Sequence, residues 1–429
     1  VQRLMIIPGR MFKPLIAFAF FIALCGVSMA QTVEPSEPVT VPTTAPSPTP
    51  KADTTNISNS MDVFDLVKLL FKRKNAKPRV KKRQNLNGPF ITTIPYPGYT
   101  IATGIAAVVP INIAFYTNKK DHGNLSFFNN NFQYTQYKQM LALSLSDLYF
   151  GHDKWQLIGD WRFYNFPTNT YGLGSLTKLS DADKINYLHL RVYEMITREV
   201  AQDFSVGLGY HLDYHWNIRD LNAEGGKRTD FQRYGFTKQS RSSALSLNLI
   251  YDTRDNPNNP YYGLYFNSQF RCNLKGLGGS SNWNSLILDV RKYFPLSKKW
   301  RMELACWAYV WLTLNGKPPY LDLPSTGWDT YNNTGRGYGM GRFRGKHFLY
   351  FESEFRFNIM RNGLLGGVAF VNLQTVSQYP SNNFNSVQPG GGIGLRIKLN
   401  KRTNTNSAVD YGFGAGGSRG FAFNFNEVF

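Results

Sequence analysis

Between Tyr210 and Asn217 the chain reads YHLDYHWN, and His211, Asp213 and His215 share one parity. Two imidazoles and a carboxylate could hold a metal. On a strand, however, residues i and i+4 stand about 13 Å apart, too far to share one ion. The motif therefore reads as polar wall, and neither metal nor cofactor is expected. The glycine clusters at 276–279 (GLGG) and 389–392 (PGGG) are not followed by a helix, so they do not read as phosphate cradles and are expected to be turns. Ser, His and Asp are plentiful, but no nucleophile elbow is visible, and no enzyme is expected. What remains is electrostatic. In HFLYFESEFRFN (His347–Asn358), Glu352, Glu354 and Arg356 occupy every second position, interleaved with Leu349, Phe351, Phe355 and Phe357.

A helix would scatter those residues around its circumference, whereas a strand sorts them onto two faces. The same alternation recurs from about Tyr99 onward. Phe266, Ser268, Phe270, Cys272 and Leu274 oppose Asn267, Gln269, Arg271 and Asn273. Leu395, Ile397 and Leu399 oppose Arg396, Lys398 and Asn400, and Phe421, Phe423, Phe425 and Phe429 oppose Ala422, Asn424 and Asn426. Burying the polar faces in a soluble core would cost several kcal/mol per unpaired site. Leaving the aromatic faces in water would make them sticky. A closed transmembrane antiparallel β-barrel resolves both problems, with apolar residues toward lipid and polar residues toward the lumen. The fold class expected is all-β, with about sixteen strands at roughly 20 residues per strand and turn.

The first ninety-odd residues differ in texture. Residues 1–30 read as a signal peptide: Arg10 and Lys13, the apolar run Pro14–Ala30, then SMA before Gln31. Cys25 follows Leu24, which is too large for a good lipoprotein motif. Cys272 and Cys306 read as apolar outward residues, not a bridge. Residues 31–60 are a Pro/Thr/Ser-rich linker that cannot bury enough surface to fold. Residues 61–97 are expected to form a basic periplasmic helix and connector, and 98–429 the outer-membrane barrel. The helix carries an apolar stripe of Phe64, Val67 and Phe71 beside Lys68, Lys72, Arg73 and Lys74, within nine basic residues from Lys68 to Arg83. The chain's net charge is +20. Export argues against nucleic acid as partner and favours an anionic lipid surface. The helix either lies on the membrane or packs on the rest of the protein. The first strand is expected to be short, because Pro110 interrupts AVVPINIAF and cannot donate a ladder bond.

Three stretches together resemble the bacterial surface-antigen barrels, the family of BamA- and TamA-type outer-membrane proteins. They are YDTRDNPNNPYYGLYF (Tyr251–Phe266), TGRGYGMGRFRGKHFLYFESEFRF (Thr334–Phe357) and the tail from Gly391 to Phe429. The resemblance implies a sixteen-stranded barrel whose long loop folds into the lumen. It implies that Arg336 of an Arg336-Gly337-Tyr338 motif pairs with Glu354 and Glu352, with Arg344 the alternative arginine. Tyr338 is expected beside the guanidinium. Asn372 stands where the family tends to place an Asp. Phe425 and Phe429 would form a terminal assembly signal, read by barrel assembly machinery. The stretch from Gln31 to about Pro97 has neither the length nor the pattern for POTRA domains, so the chain is expected to resemble the bare-barrel subgroup. The function implied is assistance in inserting or translocating proteins or lipids, with client outer-membrane proteins as partners. The alternative is a diffusion channel or a structural, anchored barrel.

Overall fold

The structure is a computed structural model. It describes residues 60–66 apart from 64, and 89–429 apart from 94, 101–103, 118–123, 125, 166, 222–228, 257–258, 401–403 and 426. The signal peptide, the linker and the helix positions Phe64, Val67, Lys68, Phe71, Lys72, Arg73 and Lys74 lie outside the described residues.

Alternation produces one antiparallel sheet of sixteen strands. β1 has two segments, Phe90–Thr92 and Tyr96–Thr100, both paired to β2 (Gly104–Phe115). Then follow β3 (Ser126–Thr135), β4 (Met140–Phe150) and β5, itself in two segments, Trp155–Asn165 and Thr168–Thr170. The two longest strands come next, β6 (Asp183–Ala201) and β7 (Phe204–Asp220), and then β8 (Ser240–Asp252). They are followed by β9 (Gly263–Asn273), β10 (Trp283–Ser297) and β11 (Met302–Gly316). The sheet ends with β12 (His347–Asn358), β13 (Leu365–Val376), β14 (Gln388–Asn400), β15 (Thr405–Gly414) and β16 (Arg419–Phe425). Each strand pairs with the next, and β16 neighbours the Tyr96–Thr100 segment of β1.

Parity sets the two faces. On β12, Glu352 and Glu354 are 0% exposed while Phe351 is 44% exposed. Leu395 on β14 and Val371 on β13 are 51% and 63% exposed, so the apolar side of the wall faces outward. Cys272 and Cys306 are free thiols, with no disulfide between them.

The sheet departs from expectation in three places. The strand begins at Phe90, ahead of the expected barrel boundary at 98. Pro110 lies not in the first strand but within β2, paired with Asn131 of β3. The two segments of β1 pair with Asn112–Ala114 and Gly104–Val108, so Pro110 stands opposite the break between them, where a missing N–H leaves no ladder bond unmade. PGGG is not a turn: Pro389–Gly392 form the start of β14.

The described start of the N-terminal segment is packed on the barrel. Met61 N–H donates to Asn362 O (2.9 Å), in the β12–β13 turn. Val63 is buried against Leu364, Ile397 and Leu399. Val63 thus packs against the ends of β13 and β14 at this rim. Among the described residues no helix is long and apolar enough to cross a membrane, which says nothing of crossing by strands.

Candidate functional site

The connection from β11 to β12, residues 317–346, is buried inside the barrel. Trp328, Tyr338 and Phe343 of this loop are buried among lumen-facing aromatics such as Trp307, Trp311, Phe348 and Tyr350, while Tyr320, Leu321 and Leu323 are buried with Ile185, Tyr187 and Ile218. The loop fixes itself before it meets the wall. Ser325 and Arg344 form an isolated bridge, and the Arg344 guanidinium donates to the carbonyls of Tyr320 (3.0 Å) and Leu321 (3.1 Å). Arg344 is thus an internal staple, not the group that reaches the wall acids. Arg342 reaches sideways to Thr177 Oγ1 (2.9 Å).

Arg336 makes the contact with the wall. Its guanidinium pairs with Glu352 and Glu354 on β12, and its Nη1 donates to Asp410 Oδ2 on β15 (2.7 Å). All four side chains are nearly or fully buried. A guanidinium suits such a seat because its planar fork carries five donors and remains charged. The acids are held in turn. Arg356 Nε donates to Glu354 Oε2 (2.6 Å), and Arg396 Nη1 donates to Asp410 Oδ1 (2.5 Å). Arg396 Nε also donates to Glu427 (2.6 Å), which accepts from Asn406 Nδ2 (2.7 Å). Three arginines and four carboxylates therefore share one network in which every charge has an opposite neighbour, as burial of charge requires.

The expected partners of Arg336 are present, together with some that the sequence reading missed. Asn372 Nδ2 donates to Arg336 O (3.0 Å) and to Glu352 (3.3 Å), so it holds the loop backbone instead of accepting from the guanidinium. The extra negative charge comes from Asp410, which lies in the quoted tail but on a strand two removed from Asn372. Tyr338 does not lie beside the guanidinium. Its hydroxyl donates to Pro389 O and accepts from Ala415 N–H (2.7 Å). The ring over which Arg336 sits is Phe370, 3.7 Å from its centroid.

Glycines make this approach possible. Gly337 adopts φ +95°, and a Cβ there would stand 2.6 Å from Phe413 O. Across the contact, a Cβ on Gly412 would meet Gly337 N at 2.7 Å, and one on Gly414 would meet the Tyr338 ring at 2.5 Å. Gly390 lies under Asn372 and the Arg336 carbonyl. The glycine-rich starts of β14 and ends of β15 thus form the bed for the Arg336-Gly337-Tyr338 backbone.

Phe429 also departs from its expected outward parity. β16 ends at Phe425, and residues 427–429 turn into the lumen. Phe429 is buried against Trp307 and under the Arg356 guanidinium, which donates to Phe429 O (2.8 Å). Val428 O accepts from Asn333 Nδ2 of the loop (2.7 Å). Phe425 lies at the end of β16.

His211, Asp213 and His215 line the opposite wall. Asp213 accepts from His189 Nε2 (3.0 Å), Arg191 Nε (3.0 Å) and Tyr193 Oη, while His211 Nε2 meets Ser246 Oγ (2.8 Å). The His189 and His215 rings stack 4.1 Å apart. No metal-holding group of His, Cys, Asp or Glu occurs among the described residues.

A family model, the Omp85 superfamily domain, matches residues 123–426. The chain belongs to the Omp85 superfamily. Its fold is similar to BamA from Haemophilus ducreyi lacking POTRA domains 1–3, at 16% identity, covering 87% of this chain and 82% of that one with a TM-score of 0.53. It is also similar to CdiB from Acinetobacter baumannii, at 13% identity, covering 79% of this chain and 59% of that one with a TM-score of 0.52. No curated protein sequence matches it. This Omp85 chain is accordingly an outer-membrane β-barrel protein.

Proposed function

We propose that this Omp85 barrel assists the insertion or translocation of proteins or lipids at the outer membrane, with its N-terminal segment in the periplasm. The observation that carries the reading is the loop. Residues 317–346 occupy the lumen and are fixed by Arg336 in a fully paired charge network, so the interior is a packed plug, not an open water channel. A plugged barrel acts at its wall or through a moved loop. The wall supports this: the segment of β1 beside β16 is five residues long, and β1 is broken opposite Pro110. The partners proposed are outer-membrane lipids, client outer-membrane proteins, and the barrel assembly machinery for the chain's own insertion. No catalytic step and no cofactor form part of the proposal.

The test is depletion of the protein, followed by comparison of the outer-membrane proteome and of lipid asymmetry across the membrane. Loss of a subset of barrel proteins, or lipid scrambling, is the expected result. No change in either would overturn the reading and leave a channel or an anchored structural barrel.

A further inference from the structure

The rim at which Val63 docks carries a second feature that the loop and its seat do not use. The β10–β11 turn, Ser297–Met302, and the β12–β13 turn, Asn358–Leu365, lie side by side, joined by a hydrogen bond from Asn358 N–H to Trp300 O (3.3 Å). Their tips present Lys298, Lys299 and Arg361, all exposed, and neither turn contains an acid. Arg361 lies over the Trp300 ring, 5.1 Å from its centroid. Beside them the exposed apolar side chains are Phe294 and Leu296, at the end of β10, and Ile359 and Met360, in the β12–β13 turn, with Lys292 Nζ 5.9 Å from the Phe294 ring.

We infer that these two turns form a binding site for the headgroup of an anionic phospholipid. The apolar half of the patch is continuous with the lipid-facing wall, so acyl chains cover it in any membrane. The cationic half stands at the height of the headgroups, where an exposed tryptophan also settles. A zwitterionic headgroup offsets its phosphate with its own ammonium, whereas a net negative one presents uncompensated charge to the three cations. Charges of this kind each contribute attraction near an anionic surface, screened by salt.

The experiment uses the full chain in nanodiscs containing equal phosphatidylglycerol and phosphatidylcholine, with native mass spectrometry of the lipids that it retains. The parent is expected to retain phosphatidylglycerol several-fold over phosphatidylcholine. Combined Lys298→Gln, Lys299→Gln and Arg361→Gln should bring that ratio close to one. Lys184→Gln, Lys238→Gln and Lys275→Gln, which remove equal charge at the opposite end, should leave it unchanged. Inorganic phosphate in the buffer should not displace the retained lipid. Heat-modifiable migration on gels identifies folded variants, and Trp300→Leu, which keeps every charge, should lower the ratio partially. No headgroup preference in the parent, or a preference that survives the rim variant or falls equally in the opposite-end variant, would overturn the site. Displacement by phosphate alone would overturn the assignment to lipid.

Discussion

The loop meets the barrel at two walls, and the two are built differently. On β12–β15, Arg336 faces three acids, two of which further arginines hold in place while Tyr350 and Asn372 hold the third, and glycines let the backbones touch. On β6–β8, Asp322 of the loop accepts from Ser242 Oγ (2.6 Å) and stands 3.5 Å from His215 Nδ1. Trp328 leans on His189 and Arg191. There the polar atoms are less well matched. Nε2 of His215 has no hydrogen-bond partner among the described residues, nor do the indole N–H groups of Trp283 on β10 and Trp311 on β11, which line the same cavity of about 10 Å³. That is space for about one water. The first wall specifies where the loop sits. The second accommodates it. Fixed charge with full pairing gives position, whereas a loosely matched polar pocket tolerates adjustment.

The comparison breaks if the wrong wall proves dominant. The largest effect is expected from Arg336→Ala, which leaves buried Glu352 without a cation and takes one partner each from Glu354 and Asp410, and should cost roughly 3–5 kcal/mol of loop docking. Planar-bilayer recordings should show larger or more frequent openings than the parent, with Glu354→Gln in the same direction but weaker because Glu352 and Asp410 remain. Unchanged conductance in both would mean that the loop is not held by this network. Gly337→Ala comes next, at about 1–3 kcal/mol, because the new methyl overlaps Phe413 O at a positive φ. Limited proteolysis should find the loop more readily cut, and a loop as resistant as the parent's would remove the glycine bed from the account. Phe370→Leu keeps the volume nearly filled but deletes the ring under the guanidinium, worth about 1 kcal/mol. In a double-mutant cycle with Arg336→Lys the two changes should couple, and strict additivity would argue against a ring–cation contact. The smallest effect belongs to the other wall: Asp322→Asn should shift loop docking by about 1 kcal/mol or less, since Ser242 can still donate to the amide oxygen. Openings as frequent as those of Arg336→Ala would reverse the ranking of the two walls.

Much of this was legible in the sequence because a strand's period is two. Glu352 and Glu354 alternate with Phe and Leu, so their shared face and its wet or buried side could be read locally. The loop arginine was legible only through the resemblance of its Arg336-Gly337-Tyr338 motif, which left Arg344 as an alternative. The hidden parts depend on which strands adjoin. Asp410 and Arg396 look like any inward polar residue until β14 and β15 bring them to Arg336. PGGG looks like a turn because its glycines answer to a backbone far away in sequence, not to a local bend. Pro110 looked like the end of a first strand because the break opposite it lies on another segment. Phe429 kept the alternation of β16 on paper, but the chain leaves the strand after Phe425.

The inward turn of residues 427–429 has a consequence in time. Asn333 of the loop and Val428, just beyond the last strand, are joined by a hydrogen bond, and Arg356 holds both Glu354 of the lock and Phe429. Neither piece has its full set of contacts until the other is in place. During biogenesis the plug and the final strand should therefore mature in one concerted event, and in hydrogen exchange their amides should gain and lose protection together.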